Sequence, residues 1–97
     1  MSVVPEQYRD AIQTELDALV GGRRPDLMTW VTAYPAQLVR QPDLIWSHVE
    51  SEVVERDDGT AFGVLPLWTT DESPSDLSVE FEIDSQCTVT LSDVHVL

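Results

Sequence analysis

The chain has 97 residues, of which 42% are apolar, with a formal net charge of −13 and a single cysteine. That length fits one domain over residues 1–97 with a single modest core, and the apolar content is too high for a disordered chain. The charge repels DNA, RNA and anionic membrane surfaces, and one cysteine excludes an internal disulfide or a cysteine-based zinc site.

Met1-Ser2-Val3-Val4-Pro5-Glu6 has neither the basic nor the apolar region of a signal peptide. No apolar run approaches the ~20 residues of a membrane span, so a cytoplasmic protein with no membrane partner is expected. Residues 5–20 are predicted to form an amphipathic helix. Tyr8, Ile12, Leu16, Leu19 and Val20 fall on one stripe. Pro5 suits the first helical position, and Gly21-Gly22 supplies a positive-φ stop. A second helix is expected beyond Arg23-Arg24, where Leu27, Trp30, Val31 and Tyr34 repeat at helical spacing. Pro35 breaks or kinks it, with one further turn over residues 36–41 before Pro42.

From about Val49 the apolar period changes to two. Val49, Ser51 and Val53 alternate with Glu50 and Glu52. Asp58-Gly59 predicts a hairpin. A two-residue turn there pairs Val53 with Val64 and sets Leu65 and Leu67 opposite Glu52 and Glu50. A three-residue turn, Asp57-Asp58-Gly59, with a bulge gives a shifted pairing, and alternation alone leaves both open. Pro66 marks an edge, an end or a bulge. After a polar loop, Leu77, Val79, Phe81 and Ile83 alternate with Ser78, Glu80, Glu82 and Asp84. A turn at Asp84-Ser85-Gln86 would close Ile83 on Cys87, Phe81 on Val89 and Val79 on Leu91, with Glu82 facing Thr88 and Glu80 facing Thr90. Ser92-Asp93 interrupts the alternation, and Val94 and Val96 resume it with changed parity, which implies a bulge or a short final strand.

The expected fold is α+β: two N-terminal helices packed on one face of a four-stranded antiparallel β-meander, a two-layer sandwich. The opposite sheet face is expected to be acidic and wet.

Leu67-Trp68, the acid-rich linker over residues 69–74, Ser75-Asp76-Leu77 opening a strand, and the terminal Asp93-Val94-His95-Val96-Leu97 resemble a family of small, mostly bacterial domains of unknown function. In that family a Leu-Trp, an acidic turn and Ser-Asp-Leu precede a strand, and the chain ends in a His-Val-Leu-like segment. The likeness covers residues 67–97. It departs in the linker, where the family tends to have Gly and this chain has Ser73-Pro74. The family carries no assigned activity, so the resemblance implies a fold and no mechanism.

The chemistry-bearing residues form no catalytic pattern. His48 and His95 have no HExxH or Ser-His-Asp spacing around them. Asp71, Glu72 and Asp76 do not follow the calcium-loop order and read as a turn in which Ser75 or Asp76 bonds its own backbone. A weak metal or proton-transfer site would require His95 and Asp93 to share a face with a neighbouring carboxylate. Trp30 and Trp68 are expected in the core, Trp46 partly exposed, and Cys87 as a small inward residue. No catalytic, cofactor or metal residue is assigned, and a non-enzymatic protein is expected.

Charge then points to function. Residues 1–49 hold six acids and four arginines, whereas residues 50–97 hold twelve acids and Arg56 alone. A patterned acidic face is either a solubility coat or a docking surface for something basic. The interaction reading assigns Glu50, Glu52, Leu65, Leu67, Glu80 and Glu82 to a basic protein partner. Its sharpest form is an immunity-type protein that neutralises a basic toxin. The alternative is a self-associating module, a homodimer in place of a monomer, using Leu65, Leu67, Trp46 and a strand edge.

Overall fold

The computed structural model describes residues 4–23, 27, 37–70 and 72–96, with Val96 described by its backbone alone. Helix α1 runs over Glu6–Val20 and buries Tyr8, Ile12, Leu16, Ala18 and Leu19. Four of these belong to the stripe that the 3.6-residue period sets out, while Val20 is only half-buried and Ala18 is buried in addition; each fully buried Ile or Leu contributes about 1.5–3 kcal/mol through apolar burial. The helix ends in a Schellman motif: Arg23 N–H donates to the Ala18 carbonyl and Gly22 N–H to that of Leu19, with Gly22 at φ +80. Gly21-Gly22 is thus the stop that the sequence predicts, and Gly22 provides the left-handed residue.

Four strands follow: β1 Glu52–Glu55, β2 Ala61–Pro66, β3 Leu77–Ile83 and β4 Val89–Val96. They pair antiparallel in the order β1-β2-β3-β4, the predicted meander. Helix α1 packs towards β4. Ala61, Leu65, Leu67, Leu77, Val79, Phe81, Ile83, Val89, Leu91 and Val94 join the helix stripe in one core cluster.

The expected two-helix layer is corrected. Among the described residues one α-helix packs on the sheet, so the fold is α+β with one helix and a four-stranded antiparallel sheet. The stretch assigned to the second helix falls largely on residues 24–26 and 28–36, outside the described residues, and Trp30 with it. Residues 37–41 form no further helical turn. They run beside the end of β2 instead, with Leu38 bridged to Thr69 and Thr70 N–H donating to the Gln37 carbonyl. The buried Gln41 side chain completes this pairing. Its Oε1 accepts Trp68 N–H at 2.7 Å and its Nε2 donates to the Trp68 carbonyl at 3.0 Å. Helical geometry would leave those two buried Trp68 groups unmatched, at about 1–3 kcal/mol each. A short 3-10 helix, Asp43–Trp46, which the sequence pattern does not reveal, then buries Ile45 and Trp46. Trp46 is 7% exposed, and its carbonyl accepts Val4 N–H at 2.8 Å, so it belongs to the core and not to a surface.

Both hairpins close with three-residue turns of one design. Arg56 N–H donates to the Thr60 carbonyl and Gly59 N–H to that of Arg56; Asp84 N–H donates to the Thr88 carbonyl and Cys87 N–H to that of Asp84. The third turn residue is left-handed in each, Gly59 at φ +87 and Cys87 at φ +64. Of the two registers open for the first hairpin, this is the three-residue one. It pairs Glu52 with Val64, Val53 with Gly63 and Val54 with Phe62. The second hairpin sits two residues from its expected register, pairing Ile83 with Val89, Phe81 with Leu91 and Glu82 with Thr90. Two residues preserve the faces but move Cys87 out of the strand. Cys87 is therefore exposed in the turn and is not an inward core residue.

The polar loop between β2 and β3 folds as the predicted turn. Ser75 Oγ donates to the Leu67 carbonyl at 2.7 Å and accepts Leu77 N–H at 3.1 Å. Thr69 N–H donates to the Glu72 carbonyl at 3.0 Å, and Glu72 N–H to Thr69 Oγ1 at 3.1 Å.

Candidate interaction surface

Because side chains alternate along each strand, the register decides which residues share the solvent side of the sheet. Three cross-strand rows lie on that side, of which the third is not open to solvent, since Pro66 is buried and Ser78 is 1% exposed. Val54, Phe62, Glu82 and Thr90 form the first; Glu52, Val64, Glu80 and Asp93 the second; Pro66, Ser78 and His95 the third. Val54 and Phe62 are each 39% exposed. The face is thus split, apolar across β1 and β2 and acidic across β3 and β4, with Glu52 on the outer edge.

Of the six residues that the sequence assigns to this surface, Glu52, Glu80 and Glu82 stand on it and are exposed. Glu50 is exposed in the turn before β1, outside the ladder, where its N–H donates to His48 Nδ1 at 3.1 Å. Leu65 and Leu67 are corrected: both are 0% exposed and lie in the core. The shift of one residue in the first hairpin turns them inward and brings Phe62 and Val64 outward, beside Val54, which faces out in either register. Gly59 does not choose between the two registers, because its left-handed geometry suits the last position of either turn.

Arg56 spans the boundary between the two halves. Its guanidinium carbon lies 4.5 Å from the Phe62 ring centroid. One guanidinium nitrogen donates to Glu82 Oε1 at 3.3 Å and another to Thr60 Oγ1 at 3.1 Å. Exposed contacts of these kinds contribute at most about 1 kcal/mol each. They nevertheless give Glu82 an internal cation. In the adjoining turn the Thr60 hydroxyl donates to Asp58 Oδ1 at 2.6 Å and holds that carboxyl below its ordinary value of 3.8.

At the other end of the face, β4 carries a bulge, the first of the two outcomes that the broken alternation leaves open, and not a short final strand. Phe81 pairs with Leu91 but Glu80 with Asp93, which leaves Ser92 as the extra residue. The bulge turns Val94 inward and sets Asp93 and His95 outward beside Glu80. His95 Nδ1 lies 3.3 Å from both Glu80 Oε2 and Asp93 Oδ2. His48, by contrast, packs edge-on against Trp68 with ring centroids 5.5 Å apart. A separate open cleft of about 370 Å³ is lined by Glu6, Arg9, Asp10, Asp43, Trp46 and Ser47. Neither histidine lines it, and Arg9 Nε is engaged with the Val4 carbonyl at 2.9 Å.

Fold and surface together define a small α+β domain with an exposed sheet face part apolar and part acidic. The chain belongs to the family described as "Domain of unknown function (DUF7668)", which it matches over residues 2–97. The resemblance read from residues 67–97 therefore extends over nearly the whole chain. Comparison with curated proteins and with solved structures gave no match. Among the described residues, no helix is long and apolar enough to cross a membrane.

Proposed function

We propose that the protein is a non-enzymatic interaction module whose open sheet face receives a basic protein, in the manner of an immunity protein that neutralises a basic toxin. The observation that carries this reading is the mixed face. Exposed Val54 and Phe62 adjoin Glu52, Glu80 and Asp93 on one side of the sheet. A solubility coat needs carboxylates only. A docking surface needs apolar area to exclude water and charge to select and steer its partner. The net charge of −13, with twelve of the eighteen acids in residues 50–97, sets the sign of that partner. The reading places the protein in a reducing cytosol, as one cysteine allows.

The test is affinity for the basic protein co-purified from native lysate, measured at about 50 and 200 mM salt. Steered, charge-dependent binding weakens with salt. Changing Glu52→Lys and Glu80→Lys together should weaken it by at least about tenfold, or roughly 1.4 kcal/mol. Binding that ignores salt or survives the double reversal rejects the reading. The self-associating alternative has lost the residues first assigned to it, since Leu65, Leu67 and Trp46 are buried. What supports it now is exposed Leu44 and Val49, at 67% and 79%. Sedimentation of a monomer at high concentration would dispose of it.

A further inference from the structure

We propose that Glu80, Asp93 and His95 form a binding site for a divalent transition-metal ion of the zinc class. Three independent features converge on the cluster.

The first is the donor set and its spacing. One imidazole nitrogen and two carboxylate oxygens all lie within 4.8 Å of one another. In a tetrahedral zinc site with bonds of 2.0–2.2 Å, neighbouring ligand atoms stand about 3.4 Å apart. His95 Nδ1 already lies 3.3 Å from Glu80 Oε2 and from Asp93 Oδ2. Two edges of the ligand triangle therefore have the required length before any side chain moves.

The second is an orphaned atom. His95 Nδ1 is shut off from solvent and makes no hydrogen bond among the described residues. A polar atom in that condition carries its desolvation cost unrelieved. It faces two carboxylates at 3.3 Å: an Nδ1–H tautomer would donate to one of them, whereas a metal ion between the groups satisfies all three at once.

The third is the backbone. Glu80 and Asp93 sit directly opposite each other in the ladder, and like charges so placed are destabilising. The bulge at Ser92 produces that juxtaposition, since unbroken alternation from Leu91 would have turned Asp93 inward and His95 with it. Arg56, the described cation on this face, is engaged with Glu82 instead. A nitrogen ligand among oxygens selects zinc, nickel, cobalt or copper over calcium and magnesium, which take oxygen donors. Three protein ligands leave a coordination position open to water or to a partner's side chain.

The test uses the full chain stripped of metal and titrated with zinc chloride alone. Calorimetry is expected to give one ion per chain. The ring resonances of His95 should shift on the same titration while those of His48 stay in place. Asp93→Asn and Glu80→Gln, close in size to the originals, should each weaken binding at least about tenfold, and His48→Gln should leave it unchanged. Zinc that moves no His95 resonance, or binds both carboxylate variants as tightly as the original, overturns the proposal. The resonance measurement needs no variant and holds even where a variant fails to fold. Because the probe is a free ion, the result is independent of whether the sheet face receives a basic protein.

Discussion

Cys87 occupies the left-handed region at φ +64, at the turn position that Gly59 fills in the first hairpin at φ +87. An L-residue there costs roughly 1–2 kcal/mol, and glycine gives back about 0.5–1 of that in unfolded-state entropy. Cys87 is exposed, so its thiol packs against little that would be lost. Cys87→Gly is therefore expected to raise stability by about 0.5–1 kcal/mol, read as a higher urea midpoint at unchanged slope. Asp84 helps hold the strained turn, since its Oδ1 accepts both Gln86 N–H and Thr88 N–H at 2.9 Å. At this scale the sequence announces one turn and conceals the other. Glycine marks Gly59 as left-handed, whereas nothing about cysteine marks Cys87, and only the side-chain acceptor and the strand pairing keep it there.

Gly63 shows the same economy at the level of the element. It faces Val53 in the first antiparallel ladder and Phe81 in the second. A methyl group there would meet the Glu52 carbonyl oxygen and the Phe81 ring, whose Cζ would stand 2.6 Å away. Phe81 is 1% exposed and has no room to retreat. Gly63→Ala should thus destabilise by about 1–3 kcal/mol through overpacking. Thermal unfolding with no loss of stability would show that β1 can lift away from β2 at little cost. Register also explains why the two hairpins differ in legibility. A shift of two residues, as in β3–β4, keeps Glu80 and Glu82 outward and Phe81 and Val79 inward. A shift of one residue, as between the two open registers of β1–β2, exchanges the faces of β2 and with them Leu65 and Leu67 for Phe62 and Val64.

Over the whole molecule, eighteen carboxylates face five arginines with no lysine. Self-repulsion of that size weakens the compact state, and salt screens it within about 10 Å at 0.1 M. Raising sodium chloride from about 20 mM to about 0.5 M should therefore raise Tm. A gain of about 1 kcal/mol corresponds to roughly 4–8 °C in a domain of this size. A Tm that falls with salt would mean that pairs such as Arg56–Glu82 outweigh the repulsion. Charge of this kind is a property of composition, and the amphipathic helix, the four strands and the acidic side of the sheet are properties of local order, because a period of 3.6 or 2 needs only neighbours along the chain. The placement of Gln41 beside Trp68, the burial of Trp46 and the meeting of His95 with Glu80 depend on residues far apart in sequence. Local pattern settles which side chains want to be buried; only the ladder register, the bulge at Ser92 and the shared core settle what each of them meets.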